Sequence, residues 1–320
     1  MKISRRIIRI GVAVVFVFIA VLGFCTQERK FTAMRRPDRT VAVTIDDLPA
    51  QRGNHQSVAM ISTQLLLQFA DEEVSVTGFV NTAKLDGYSR DEAIALLAPW
   101  LTAGHELGNH THSHPDFNST NFESYIGGIR TADEILDSLL GDQGLQLRYF
   151  RHPMLHSGET PARRDSLNAW LSGHGYIVAP VTIDNSDHIF GWVYEKALEA
   201  GDTALTLRIV EAYLDHMEAC FGHFEQLSRK AFGREPAQIL LIHANRLTAD
   251  AFGRLAARIR ERGYRFITLE EALQDELYTH PEATSRRGLS WIHRWRLEDG
   301  FPMVDDPEPP EWVMELFNQK

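Results

Sequence analysis

The 320-residue sequence predicts an α/β fold in which about seven parallel strands close into a barrel, each followed by helix or loop. Three observations predict it. Short apolar, β-branched runs alternate with segments of helical spacing between residues 40 and 269, the pattern of strands joined by crossover helices. Asp46, His110, Arg151, Asp184, Asp187 and His243 fall at or just after the ends of different strands, and a barrel gathers such ends on one face. No Gly-rich dinucleotide fingerprint follows the first strand, which counts against an open doubly wound sheet.

In chain order, Lys2, Arg5, Arg6 and Arg9 precede an uncharged apolar run over 10–24, so residues 1–25 read as a signal peptide or an N-terminal membrane anchor. Phe24 is too bulky before Cys25 for a clean lipoprotein box. Residues 26–39 are polar and basic, a linker. The barrel is expected over 40–283. Its first strand, 41–45, ends abruptly at Asp46 and Asp47; a helix over 57–70 follows, with Met60, Ile61, Leu65, Leu66 and Phe69 at helical spacing. A strand over 76–80 leads to a helix capped by Ser89 and closed by Gly104. The third strand and its loop occupy 105–111, and a helix over 122–140 precedes a strand over 147–151. Thr160 and Pro161 open the next helix, and a strand over 176–183 ends at Asp184. Helices over 193–199 and 204–227, a strand over 239–242, a helix over 249–262 and a strand over 265–269 complete the alternation. Trp291, Trp295 and Trp312, mixed with Pro302, Pro307, Pro309 and Pro310, mark 284–320 as an irregular extension packed on the barrel.

Hydrophobic content of 44% and charged content of 24% suggest neither a disordered chain nor a polytopic membrane protein. Removing residues 1–25 moves the formal net charge from −10 to −14, which argues against a nucleic-acid partner and leaves neutral or cationic substrates open. Cys25 lies in the leader and Cys220 stands alone, so neither an internal disulfide framework nor a cysteine metal site is available.

The chemistry is concentrated in residues 104–115, where His105, His110, His112 and His114 occur together. His110 and His114 are four apart, so a helical or tightly turned segment would point both the same way. Two imidazoles do not hold a hydrolytic metal firmly, and a further ligand must come from elsewhere. Asp46 and Asp47 can share a site only if the strand ends and turns there, because side chains on a regular strand alternate between faces.

With the segment 44–47 (Thr-Ile-Asp-Asp), His110-x3-His114, Arg151-His152-Pro153, Asp184-x2-Asp187 and the segment 240–243 (Leu-Leu-Ile-His) in this order, the chain resembles the NodB-homology polysaccharide deacetylases, carbohydrate esterase family four. The resemblance spans residues 41–245, about two thirds of the chain. It implies a distorted (β/α) barrel and one divalent metal ion, zinc first, with cobalt, nickel or manganese as alternatives. Carried over residue by residue, Asp47, His110 and His114 are the ligands, Asp46 is the base acting on the attacking water, and His243 is the acid that protonates the departing amine. Arg151 orients the base and Asp187 pairs with the acid. Pro153 and Met154 belong to the substrate-binding turn, with the Met154 N–H as oxyanion donor.

Three positions depart from the family pattern. Leu48-Pro49 stands where glycine is usual, Met154 where an aromatic is usual, and His188 where tryptophan is usual. All three shape the sugar groove in the family. These departures bear on the substrate groove, while the implied metal ligands and the acid and base are all present.

Among the remaining residues, His112 reads as a loop or wall residue, and His105-Glu106 fails the zincin motif because Asn109 stands where its second histidine should. His152, His156 and His188 are open between site mouth and surface. Phe79, Tyr149, Trp170 and Trp192 read as core. Asn81 and Asn245, at strand ends, are expected to hydrogen-bond substrate.

The sequence thus predicts an exported, metal-dependent hydrolase that removes N-acetyl groups from amino sugars of a glycan, peptidoglycan or exopolysaccharide, in a bacterial cell envelope. The alternatives are an amidase on a small amide or imide, and a glycan-binding protein without catalysis.

Overall fold

The structure is a computed structural model that describes residues 39–319; the leader and nearly all of the linker lie outside the described residues. It begins with β1 (Arg39–Leu48), which is buried from Val41 onward. A strand covered on both faces can be apolar throughout, and residues 41–45 are apolar apart from Thr44. Arg39 is not linker. Its guanidinium pairs with Glu225 and Glu235 and lies 4.2 Å from the centre of the Tyr264 ring, tying the start of β1 to later elements.

Six further parallel strands follow: β2 (Val76–Val80), β3 (Glu106–Asn109), β4 (Tyr149–Phe150), β5 (Ile177–Val178), β6 (Gln238–His243) and β7 (Tyr264–Ile267). They form one sheet in the order β5-β4-β3-β2-β1-β6. Along β1, β6 occupies one edge, and the other is shared, by β7 over residues 39–42 and by β2 from Val43. Past β5 the chain returns to β6: Thr182 N–H donates to the Ile239 carbonyl at 3.0 Å, and Leu241 N–H donates to the Ile183 carbonyl at 3.2 Å. These bonds close a distorted barrel. Pairing is thinnest at β4 and β5, where longer strands were expected. Pro153 and Pro180 explain part of this, since neither can donate to a ladder.

Helices α1 (His55–Asp71), α2 (Arg90–Thr102), α3 (Phe122–Leu140) and α4 (Pro161–Gly173) lie where the spacing predicts, each with a side-chain cap from Asn54, Ser89, Asn121 and Thr160. Two begin earlier than expected. α5 (Asp187–Glu199) starts at the acidic residue expected to end a strand loop, and α7 (Arg246–Glu261) starts directly after its cap, Asn245. α6 (Thr203–Phe232) runs 30 residues before Gly233 stops it at φ 72°. The short α8 (Leu269–Ala272) follows β7.

The extension is more ordered than its composition predicts. It holds α9 (Trp291–Glu298), capped by Ser290, and α10 (Glu311–Asn318), which follows Pro310. Trp291 N–H donates to the Val181 carbonyl at 2.7 Å, so α9 is joined to the barrel wall through the backbone. Among the described residues no helix is long and apolar enough to cross a membrane.

Candidate active site

Strand register assembles the site. Asp46 is the Cα partner of His243 across β1 and β6, and Asn109 is the partner of Phe150 across β3 and β4, so His110 and Arg151 also leave the sheet side by side. The β1–β2 register shifts between Ile45 and Leu48, and Asp47 adopts a left-handed φ of 68°. This bulge breaks the strand's alternation of faces, and both carboxylates line one cavity. Leu48, which replaces the family's glycine, fits the core because Gly78 faces it; a Cβ at 78 would fall 2.3 Å from a Leu48 methyl.

Ligand atoms of Asp47, His110 and His114 lie within 4.8 Å of one another. His110 Nδ1 is 2.9 Å from the Arg151 carbonyl, which can only accept, so this nitrogen carries the proton and Nε2 keeps its lone pair. Burial holds both imidazoles down at about 4, mainly neutral at pH 7. One carboxylate and two neutral imidazoles are the donor set of a catalytic zinc-type site. The residues therefore fit a divalent metal.

The two histidines do not lie on a helix. Thr111 and His114 take left-handed φ of 67° and 54°, and the loop is braced through its backbone. Asn109 Oδ1 accepts from Thr111 N–H at 2.7 Å, and Thr111 Oγ1 accepts from His114 N–H at 3.1 Å. Asn81 completes the brace, its amide oriented to donate to the His112 carbonyl at 2.8 Å and accept from His114 N–H at 3.2 Å.

Asp46 is buried, with Arg151 Nη1 3.5 Å and His110 Nε2 3.7 Å from its carboxylate oxygens. Its Oδ1 has no hydrogen-bond partner. Burial raises this carboxyl above the ordinary range, and the field of Arg151 only partly offsets that. Burial also acts on Asp47, but there Lys84, His243 and the two imidazoles together outweigh it and hold the group low. Adjacent carboxyls are thus driven apart, as a division between base and ligand requires. Arg151 is itself oriented: Nη2 donates to Thr44 Oγ1 at 2.8 Å, and the guanidinium carbon lies 4.7 Å from the centre of the Phe79 ring.

Across the cavity, His243 donates through Nδ1 to Asp187 Oδ1 at 2.7 Å, and its backbone N–H donates to Asp187 Oδ2 at 2.7 Å. Burial alone would lower the imidazole; the charge and hydrogen bond of Asp187, with Asp47 and Asp46 beyond, raise it to about 9. An imidazole held up in this way favours its protonated form and has a proton to give.

Met154 lines the same cavity and is half exposed, whereas Pro153 is buried and is not among the lining residues. Arg151 and Asp187 also stand behind the lining, against Asp46 and His243. Two expectations need correction. Asn81 is spent on the histidine loop, and Asn245 caps α7, accepting from Thr248 N–H at 2.9 Å while packed against Gly191; neither lines the cavity. Of the open histidines, His188 lines the cavity with its ring 5.8 Å from that of His243, His156 pairs with Asp116 at 2.6 Å, and His152 is buried. His112 bonds Thr82 at 3.0 Å, as a loop residue would.

The cavity, of about 570 Å³, has lining residues that no strand-end pattern reveals: Arg287, Gly288, Asp305, Asp306, Pro307 and Glu308, all from the extension. Asp306 is held by two imidazoles, with Oδ1 2.7 Å from His293 Nε2 and 3.0 Å from His223 Nε2. Only folding brings these residues to the site. They lie more than 40 positions beyond His243.

The family model described as "Polysaccharide deacetylase" matches residues 33–167, which include Asp46, Asp47, His110, His114 and Arg151 but not Asp187 or His243. A curated relative, the chitin deacetylase of Colletotrichum lindemuthianum, is 28% identical over 151 residues, 46% of this chain and 52% of that protein. The chain thus spans about half the length of that relative. Among solved structures, the polysaccharide deacetylase Bc1974 from Bacillus cereus is similar with a TM-score of 0.50 and 18% identity, over 72% of this chain and 91% of that one. The Bc1960 peptidoglycan N-acetylglucosamine deacetylase gives a TM-score of 0.47 and 18% identity, over 74% and 89%. At such identities the first of these likenesses speaks for the fold, and the second adds no argument.

Proposed function

We propose, from the match of residues 33–167 to the polysaccharide deacetylase model and from the residues gathered at the cavity, that the chain is a metal-dependent hydrolase that removes N-acetyl groups from amino sugars of a glycan. One observation carries this reading: Asp46, Asp47, His110, His114 and His243 face a single cavity, as base, ligand set and acid.

Asp47, His110 and His114 would hold the ion, zinc first. A divalent ion bound there supplies Lewis acidity, polarising an acyl carbonyl and acidifying a water. Asp46, its carboxylate beside Arg151, takes the proton of the water that attacks the acyl carbon. The Met154 N–H donates to the acyl oxygen as it gains charge. His243, oriented by Asp187, gives its proton to the nitrogen as the C–N bond breaks, and acetate and a free amine leave.

The uncharged run behind Lys2, Arg5, Arg6 and Arg9 supports export, with membrane anchorage as the alternative, and peptidoglycan or an exopolysaccharide as the glycan. A second reading, an amidase on a small amide or imide, draws support from the cavity itself. At about 570 Å³ and walled by the extension, it has a size typical of single small-molecule ligands. A glycan-binding protein without catalysis would have no use for the complete acid and base set.

The test is metal analysis of the purified full chain together with acetate release from N-acetylglucosamine oligomers of increasing length. Asp46→Asn should keep its metal and lose roughly 10²–10⁴-fold in kcat. Asp47→Ala and His114→Ala should lose both metal and turnover. Parent-rate turnover by Asp46→Asn would overturn the mechanism, and activity only on the monomer or on non-sugar amides would select the second reading.

A further inference from the structure

Met154 and Leu155 both adopt left-handed backbone, at φ 55° and 54°. Neither is glycine or asparagine, and such backbone is strained for a side chain with a Cβ and persists only where its surroundings over-determine it. Two in succession require a strong local hold. Inside the turn, Leu155 N–H donates to the His152 carbonyl and His156 N–H to the Pro153 carbonyl, both at 3.0 Å. The rest of the hold comes from the extension, about 140 residues later in the chain.

Arg294, on α9, has no solvent exposure. Its Nη2 donates to the Leu155 carbonyl at 2.7 Å and its Nη1 to Ser157 Oγ at 2.9 Å, while Nε is anchored on the Leu289 carbonyl at 3.1 Å. The guanidinium carbon lies 5.0 Å from the centre of the Trp291 ring, and Trp291 is bonded through its backbone to Val181 in the barrel. Burying a guanidinium is expensive unless its donors are used, and two of those used here fix the Met154–Leu155 turn. Gly288 supplies the other half. A Cβ at 288 would fall 2.0 Å from the Met154 carbonyl oxygen and 3.4 Å from Leu155 Cβ, so only glycine lets the extension seat against this turn.

We propose that the extension is a working part of the active site: Arg294 and Gly288 are positioning residues that hold the Met154–Leu155 turn, and with it the Met154 N–H, in the geometry that receives the developing oxyanion. The proposal rests on the deacetylase reading for its chemistry, but the hold itself is independent of it. Neither residue touches a ligand atom of the metal set, so neither should affect metal content.

Two variants and two readouts test it. Gly288→Ala introduces the colliding Cβ, and Arg294→Met removes the hydrogen bonds while keeping an apolar stem; Arg294→Lys serves as the conservative control. With oligomeric N-acetylglucosamine as substrate, kcat should fall about 10–100-fold in both variants, with KM within about twofold of the parent and metal stoichiometry unchanged, and Arg294→Lys should recover part of the loss. Independently, amide hydrogen exchange over residues 152–158 should quicken in Gly288→Ala and Arg294→Met while that of β1 and β6 stays at the parent level. Unchanged exchange over 152–158 in both variants would overturn the proposal whatever the activity, and so would unchanged kcat in a folded Gly288→Ala protein. A parent chain with no acetate release from any sugar would count against the deacetylase reading alone, and the exchange arm would then decide the positioning role. If Arg294→Met fails to fold, Gly288→Ala decides the matter on both readouts.

Discussion

Asp187 meets His243 twice, through the ring and through the backbone N–H, so the imidazole can neither rotate nor drift from the end of β6. The same carboxylate is the chief reason that the imidazole rises to about 9 against the lowering effect of burial. Asp187 itself is held low, because burial is outweighed by the charge and hydrogen bonds of His243. The sign of a substitution follows. In Asp187→Asn the raising charge is gone, His243 loses its proton at lower pH, and the alkaline limb of kcat/KM should move downward, with kcat falling up to about 10²-fold. A pH profile of parent and variant checks this, and an unmoved limb would remove His243 from the role of acid. Sequence pattern made His243 and the doublet Asp46-Asp47 legible, since each stands where an apolar run stops. It misled on Asn81 and Asn245, which stand at similar places. A carboxamide at a strand end can serve the backbone as readily as a ligand, and sequence position does not tell which.

At the scale of the element, local signals were read most directly. The Ser89 hydroxyl accepts from Glu92 N–H at 3.3 Å, and the Glu92 carboxylate accepts from Ser89 N–H at 2.8 Å, a reciprocal cap on α2. Ser89→Ala should cost about 1 kcal/mol of stability. Because α2 contributes no residue to the cavity lining, kcat should be unchanged; chemical denaturation alongside steady-state kinetics checks both statements. A large kcat loss would mean that α2 is coupled to the site. Boundaries were less legible where tertiary contacts override periodicity. α5 begins at Asp187, a residue buried against His243, so its first turn, with Ile189 and Phe190, belongs to the helix although two polar residues lead it. β4 and β5 are short because the chain beyond them serves the site and the barrel closure instead of extending their ladders.

For the whole molecule, the decisive addition is the extension, which closes one side of the cavity and is pinned by Asp306 between His223 and His293. Burial would raise the Asp306 carboxyl, but the hydrogen bonds and charges of the two imidazoles outweigh it and hold the group at about 2. A depressed carboxyl stabilises the fold fully above its unfolded value, roughly 4, and that contribution is lost as pH falls towards about 2. The Tm of the parent should therefore drop over this window by more than that of Asp306→Asn, in which no carboxylate remains to protonate. Parallel Tm curves between pH 2 and 5 would show that the pinning carries no stability.

The sequence by itself determined the alternation of strands and helices, the resemblance to polysaccharide deacetylases and the order of the chemistry-bearing residues along the chain. These are properties of local pattern: an apolar run needs a covered strand, and a polar residue that interrupts it at its end must face solvent or a site. Tertiary structure alone decided which polar residues face the cavity and which brace its walls. The left-handed turns at Asp47, Thr111, His114 and Met154 carry no glycine to announce them. Arg294, Gly288 and Asp306 reach the site only because α9 and the segments on either side of it fold back onto the barrel. Contacts so distant along the chain leave no periodicity to read, and only the packed molecule displays them.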